Sequence, residues 1–146
     1  MSTKIHKTAI VPYTDQAMFD LVRDIDRYAE FLPWCSQAAV LQETAQDVIG
    51  QIEIHHLGFR QAFSTRNVLN PPHHMSLELQ EGPFKTFHGD WQFERLNDEA
   101  CKVSLTLQFA FANFVMQAAF GSIFEQIANT LVDSFCQRAR DIYGSG

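Results

Sequence analysis

From residue 37 to residue 111 the chain alternates apolar and polar positions, and after that the spacing changes to threes and fours. Val48, Gly50, Ile52 and Ile54 alternate with Ile49, Gln51, Glu53 and His55. Phe59, Phe63 and Thr65 alternate with Arg60, Ala62, Ser64 and Arg66, and Met75, Leu77 and Leu79 mark a further strand. Phe87, Gly89, Trp91 and Phe93 oppose Thr86, His88, Asp90, Gln92 and Glu94. Val103, Leu105, Leu107, Phe109 and Phe111 oppose Lys102, Ser104, Thr106, Gln108 and Ala110. A period of two predicts strands with one buried and one wet face, which is antiparallel behaviour. Pro71-Pro72 and Glu81-Gly82-Pro83 punctuate the run as turns.

Both ends of the chain extend the pattern. Ile5, Lys7, Ala9 and Val11 alternate with His6, Thr8 and Ile10 up to Pro12, predicting an edge-type first strand. Thr14 is placed to cap a helix carrying Asp15 in its first turn and Met18, Leu21, Val22 and Ile25 on one face. A second short helical segment, Asp26 to Phe31, stops before Pro33, because a residue preceding proline is pushed out of helical geometry. Met116, Phe120, Ile123, Phe124, Ile127, Leu131 and Phe135 then predict one long helix. Ala112, Val115, Ala119 and Ala128 widen its stripe, and Gly144 ends it. The order is strand, two short helices, six strands, one long helix. A half-wet sheet must bury its other face, and only the last helix is long and apolar enough to cover it. The expected fold is therefore α+β: a curved antiparallel sheet of about seven strands wrapped around a long C-terminal helix, in a single domain over residues 1–146. Gly50, Gly58 and Gly89 are where its bends or bulges are expected.

Composition narrows the function. Apolar residues make up 46% and charged residues 19%, a globular balance. Thirteen Phe residues call for either a thick core or a pocket lining. A formal charge of −6 gives no long-range attraction to phosphate backbones, which speaks against DNA. Arg60, Arg66 and Lys85 are the mid-chain candidates for a basic patch, and a small one. Asp15, Asp20, Asp24, Asp26 and Glu30 read as a solvated face. Cys35, Cys101 and Cys136, odd in number and widely spaced, suit free thiols in a cytoplasmic protein. Neither a signal peptide nor a transmembrane run is expected.

The search for chemistry returns little. His55 and His56 are adjacent on a strand and point to opposite faces, so they cannot share a metal. His73 and His74 follow Pro71-Pro72 in an expected loop, and no metal is expected. There is no G-x-S-x-G elbow, P-loop or G-x-G-x-x-G. Strand parity places Ile52, Ile54, Phe59, Phe63, Leu77, Leu79, Phe87, Trp91, Leu105, Leu107 and Phe109 on the inner wall. The polar groups of that parity are His56, Gln61 and Thr65, while the strand Asp and Glu residues fall outside. Acid–base catalysis would rest on His56 alone, so no catalytic residue is assigned. An apolar pocket with a few polar handles suits a greasy ligand, and the same residues would equally fill a core.

At Tyr28-Ala-Glu-Phe-Leu-Pro-Trp-Cys35 the chain resembles the coenzyme Q-binding family of the START-like (helix-grip) superfamily, in particular its bacterial branch of ribosome association toxins. Phe63-Ser-Thr-Arg-Asn67, Glu81-Gly-Pro-Phe-Lys85, Gly89-Asp-Trp-Gln-Phe93 and Phe135-Cys-Gln-Arg-Ala139 continue the likeness in order along the chain. The resemblance implies the helix-grip fold and two functions. One is a non-enzymatic binder of a lipophilic ligand, a polyprenyl quinone such as ubiquinone or another lipid, supporting respiration, with peripheral membrane contact. The other is a toxin that binds the large ribosomal subunit and blocks subunit joining. A cyclase-like enzyme in the same cavity is a more distant third, and no cofactor is required. Phe31 and Trp34, held by Pro33, are expected as a lid rather than as anchors of the small helices. Ligand contacts are expected from these three and from Gln61, Phe63, Thr65, Phe84, Trp91, Phe109, Phe120, Phe124 and Ile127. Gln61 or Thr65 would reach a quinone oxygen.

Overall fold

In the computed structural model, which describes residues 2–56 and 58–144, the alternating segments form seven strands. They are β1 (Thr3–Val11), β2 (Cys35–Glu43), β3 (Asp47–His56), β4 (Phe59–Asn70), β5 (His74–Glu81), β6 (Phe84–Asn97) and β7 (Ala100–Phe111). All pair antiparallel in one sheet ordered β1-β7-β6-β5-β4-β3-β2. β1 returns to pair with β7, from Thr3 opposite Phe109 to Val11 opposite Cys101, and so forms one edge as expected. Helix α1 (Asp15–Arg23), a 3-10 helix (Ile25–Glu30) and the long α2 (Phe114–Tyr143) complete the chain.

Local chemistry explains the boundaries. The Ala17 amide donates to Thr14 Oγ1 at 3.1 Å, satisfying one orphan donor of α1, a contribution of about 1 kcal/mol. The segment expected over Asp26 to Phe31 starts one residue earlier, at Ile25, and is wound as a 3-10 helix. His74 belongs to β5 rather than to a loop. The Met116 amide donates to Asn113 Oδ1 at 2.9 Å, so α2 begins at Phe114. That cap corrects the widened stripe: Ala112 lies outside the helix, Val115 and Ala119 face solvent, and only Ala128 is buried. Gly144 closes α2 with φ of 86°, its amide donating to the Arg140 carbonyl.

The bends do not follow the glycines simply. A β2 bulge at Val40/Gln42 falls beside Gly50, whose partner is Val40. Gly58, with φ of 81°, serves the β3–β4 turn. Gly89 sits in an unbroken ladder, where an added Cβ would lie 2.7 Å from a Leu107 methyl, so it marks close packing rather than a bend. Other bulges, at Cys35/Gln37, Ser64/Thr65, Phe84/Thr86 and Arg95/Asn97, help the sheet curl around α2. Phe120, Phe124, Ile127, Val132 and Phe135 of α2 are buried against the inner face, each worth roughly 1.5–3 kcal/mol. α1 caps one end of the grip, with Phe19 edge-on to Phe93 of β6 at 5.8 Å. No described helix is long and apolar enough to cross a membrane.

Candidate ligand cavity

Two aromatic layers bound a space between sheet and helix. Phe63, Phe87 and Phe124 form one layer, with ring centroids 5.8 to 6.1 Å apart. Tyr28 and Trp91 pack edge-on to Phe135, at 5.2 and 5.3 Å, to form the other. Phe124 and Phe135 are eleven residues apart on α2, about 16 Å at the helical rise. Between the layers lies a cavity of about 90 Å³. Ile25 closes it from the 3-10 helix and Leu32 from just beyond that helix, Ile52 and Ile54 from β3, Leu77 from β5, Leu105 and Leu107 from β7, and Leu131 from α2. Roughly 300–1,000 Å³ is usual for a small-molecule site, so the grip is largely filled.

One polar pair breaks the apolar wall. The Thr65 hydroxyl donates to Asn67 Oδ1 at 2.7 Å, and both side chains line the cavity. Asn67 is only 4% exposed and lines the cavity beside Thr65. The Tyr28 hydroxyl donates to the Val22 carbonyl, and burial followed by the charge of Asp24 pushes its pKa up. Burial likewise pushes the Cys35 and Cys101 thiols up to about 11, so both are protonated and poorly nucleophilic at neutral pH. Among the described residues the lining holds no Asp, Glu, His, Lys or Arg. The strand acids stand on the outer face, as their parity requires.

The expected contact residues divide. Trp34, Phe63, Thr65, Trp91, Phe124 and Ile127 line the cavity. Phe84, Phe109 and Phe120 do not: they form an aromatic cluster at the α2 N-terminal end of the grip. There Phe84 stacks on Phe111 at 5.3 Å, Phe120 stacks on Phe59 at 5.1 Å, and Phe109 meets Phe124 edge-on at 4.8 Å. Gln61 donates to the neighbouring Ala62 carbonyl and lines a surface hollow instead. Phe31 is an anchor rather than a lid: it packs on Tyr28 and Phe135 and carries the Arg138 guanidinium 4.9 Å above its ring. Pro33 is exposed and joins His56 in a separate hollow beside Trp34. Leu32, Asn67, Leu131 and Phe135 are lining residues that the expectation omitted. Asn67 needed only the β4 alternation carried two residues further, and Leu131 and Phe135 already lay on the α2 stripe.

A family model described as polyketide cyclase / dehydrase and lipid transport matches residues 11–136. The chain is 46% identical to "Ribosome association toxin RatA" of Pseudomonas aeruginosa, over 99% of this chain and 100% of that one. It is 20% identical to "Coenzyme Q-binding protein COQ10 homolog B, mitochondrial" of Xenopus laevis, over 94% of this chain and 58% of that protein. Among solved structures, an aromatase/cyclase from Streptomyces sp. R1128 matches with a TM-score of 0.83 at 15% identity, covering 100% of this chain and 99% of its own. At that identity the likeness is one of fold.

Proposed function

We propose that the chain, which belongs to the polyketide cyclase / dehydrase and lipid transport family, is a non-enzymatic binder that docks on the large ribosomal subunit and hinders subunit joining. The observation that carries this reading is the 46% identity to a ribosome association toxin along the whole of both chains. A grip filled to about 90 Å³ agrees with a protein that works through its surface. The non-enzymatic part rests on the uncharged cavity wall, which supplies no acid or base. Arg60 and Arg66, the two cations on the outer face of β4, are paired with Glu53 at 3.6 Å and Asp47 at 2.7 Å. With a net charge of −6, this favours docking on a protein rather than on ribosomal RNA. Sucrose-gradient profiles after overexpression test the reading. Free subunits are expected to accumulate at the expense of 70S particles, and unchanged 70S levels would sink it.

A second reading, storage of a quinone or other lipid, is favoured by the Thr65–Asn67 pair in an otherwise apolar cavity and by the coenzyme Q-binding relative. It requires the cavity to widen, because about 90 Å³ holds no more than part of a quinone ring with its substituents. Native mass spectrometry of the purified protein is expected to show a bound lipid if this reading holds. Repeated recovery of adduct-free protein would remove it.

A further inference from the structure

The start of α2 carries a feature that neither the cavity nor the fold uses. Phe114 is 82% exposed and Val115 is 71% exposed, side by side on the first turn. Ala112, Ala118 and Ala119 around them are exposed as well. Both side chains stand in water on a well-capped helix end and, with the exposed alanines, form an apolar knob. Beside this knob is an open hollow of about 420 Å³ lined by Gln61, Ser64, Glu81, Gly82, Pro83 and Met116. The Ala112 amide donates to the Pro83 carbonyl at 2.8 Å, tying the β5–β6 turn to the knob.

The geometry points to this knob and hollow as the docking surface, and to an apolar pocket on a protein of the large ribosomal subunit as its occupant. The inference rests on the ribosomal reading above and names the surface that performs it. Charge selects the partner. No Asp, Glu, Lys or Arg occurs from Val103 to Phe124. At the rim, Arg60 is paired with Glu53 at 3.6 Å, and the exposed Lys85 stands in the same turn region as the exposed Glu81. The acids Asp15, Asp20, Asp24, Asp26 and Glu30 lie with α1 and the 3-10 helix, which meet α2 between Arg138 and Tyr143, about 35 to 45 Å from the knob by helical rise. A near-neutral tip gives RNA phosphates little to hold. It also lacks the Lys- and Arg-rich face of an interfacial membrane helix. A protein pocket needs only an aromatic anchor with a polar margin, and the knob supplies both.

Binding to purified large subunits, measured for wild type, Phe114→Glu and Val115→Glu, tests the assignment. Both residues are exposed, so circular dichroism and thermal melting should match wild type, and each variant checks the other. Wild-type Kd is expected to change little between about 50 and 200 mM salt, because apolar docking releases no counterions. Each substitution is expected to weaken binding at least about tenfold, with the cavity untouched. Wild-type affinity in both variants would overturn the assignment. So would a steep salt dependence matched by a larger loss in Lys85→Ala, which would identify RNA. A wild-type dimer dissolved by Phe114→Glu would identify a second copy, and flotation with phosphatidylcholine vesicles lost in Phe114→Glu would identify lipid; either overturns it. No binding by wild type would instead fail the ribosomal reading, and the inference would fall with it.

Discussion

Thr65 and Asn67 leave the same face of β4 two residues apart, and the hydroxyl of one donates to the oxygen of the other inside a wall of hydrocarbon. Thr65→Val keeps the shape and removes the donor, leaving Asn67 Oδ1 nearly buried without a partner. That should cost about 1–3 kcal/mol, read as a lower urea midpoint at unchanged slope. Adding Asn67→Leu should recover part of the loss, because the orphaned group is then gone. A Thr65→Val midpoint equal to wild type would mean that the hydroxyl does not hold the amide. Residue scale is also where the sequence is least explicit. Gln61 shares the inward parity of Thr65 and Asn67, yet it lies on a surface hollow and donates to its neighbour's carbonyl. Parity tells which face a side chain leaves from. It does not tell how far along a twelve-residue strand the cavity lies.

Elements were legible wherever a period was unbroken, and obscured where two elements shared one composition. The alternations gave the strands and their inner faces, and the threes and fours gave α2. From Val103 to Phe124, however, hydrophobicity runs through the boundary between strand and helix without a charge to mark it. Only Asn113, as a cap, divides β7 from α2, and it turns Val115 outward instead of into the stripe. The short helical segment shows the same limit differently. In a 3-10 helix residues three apart eclipse, so Ile25 and Tyr28 both reach the cavity. Phe31 prolongs that row and meets Phe135 and Arg138, contacts more than one hundred residues away in sequence. No local pattern could say whether an aromatic at that end would swing as a lid or be pinned. Arg138 decides it, since its guanidinium lies over the ring while also bonding Glu30 at 2.7 Å.

At the scale of the whole molecule, the sheet separates two chemistries: an uncharged interior and an outer face where the ionisable groups hold one another. Glu78, His88, Asp90 and His74 form a chain across β5 and β6, with His88 bonded to Glu78 at 2.5 Å and to Asp90 at 2.9 Å, and His74 to Asp90 at 2.8 Å. Arg66, across from Glu78 on β4, is held by Asp47. Partial burial works against the His88 proton, but the hydrogen bonds and charges of Glu78 and Asp90 outweigh it and raise the pKa above the ordinary 6.5. A group whose pKa is raised on folding binds its proton more tightly in the native state. Its stabilisation is therefore complete below about pH 6.5 and is lost as the pH rises through the raised value. Urea midpoints measured across that window should fall with rising pH in wild type, and His88→Gln should flatten the fall. The effect should be modest, because the pair is half exposed and screened by solvent. A wild-type midpoint that stays level, or a His88→Gln curve that falls in parallel, would place the pH sensitivity elsewhere in the molecule. The outer network would then be a solvated ornament of the sheet rather than one of its ties.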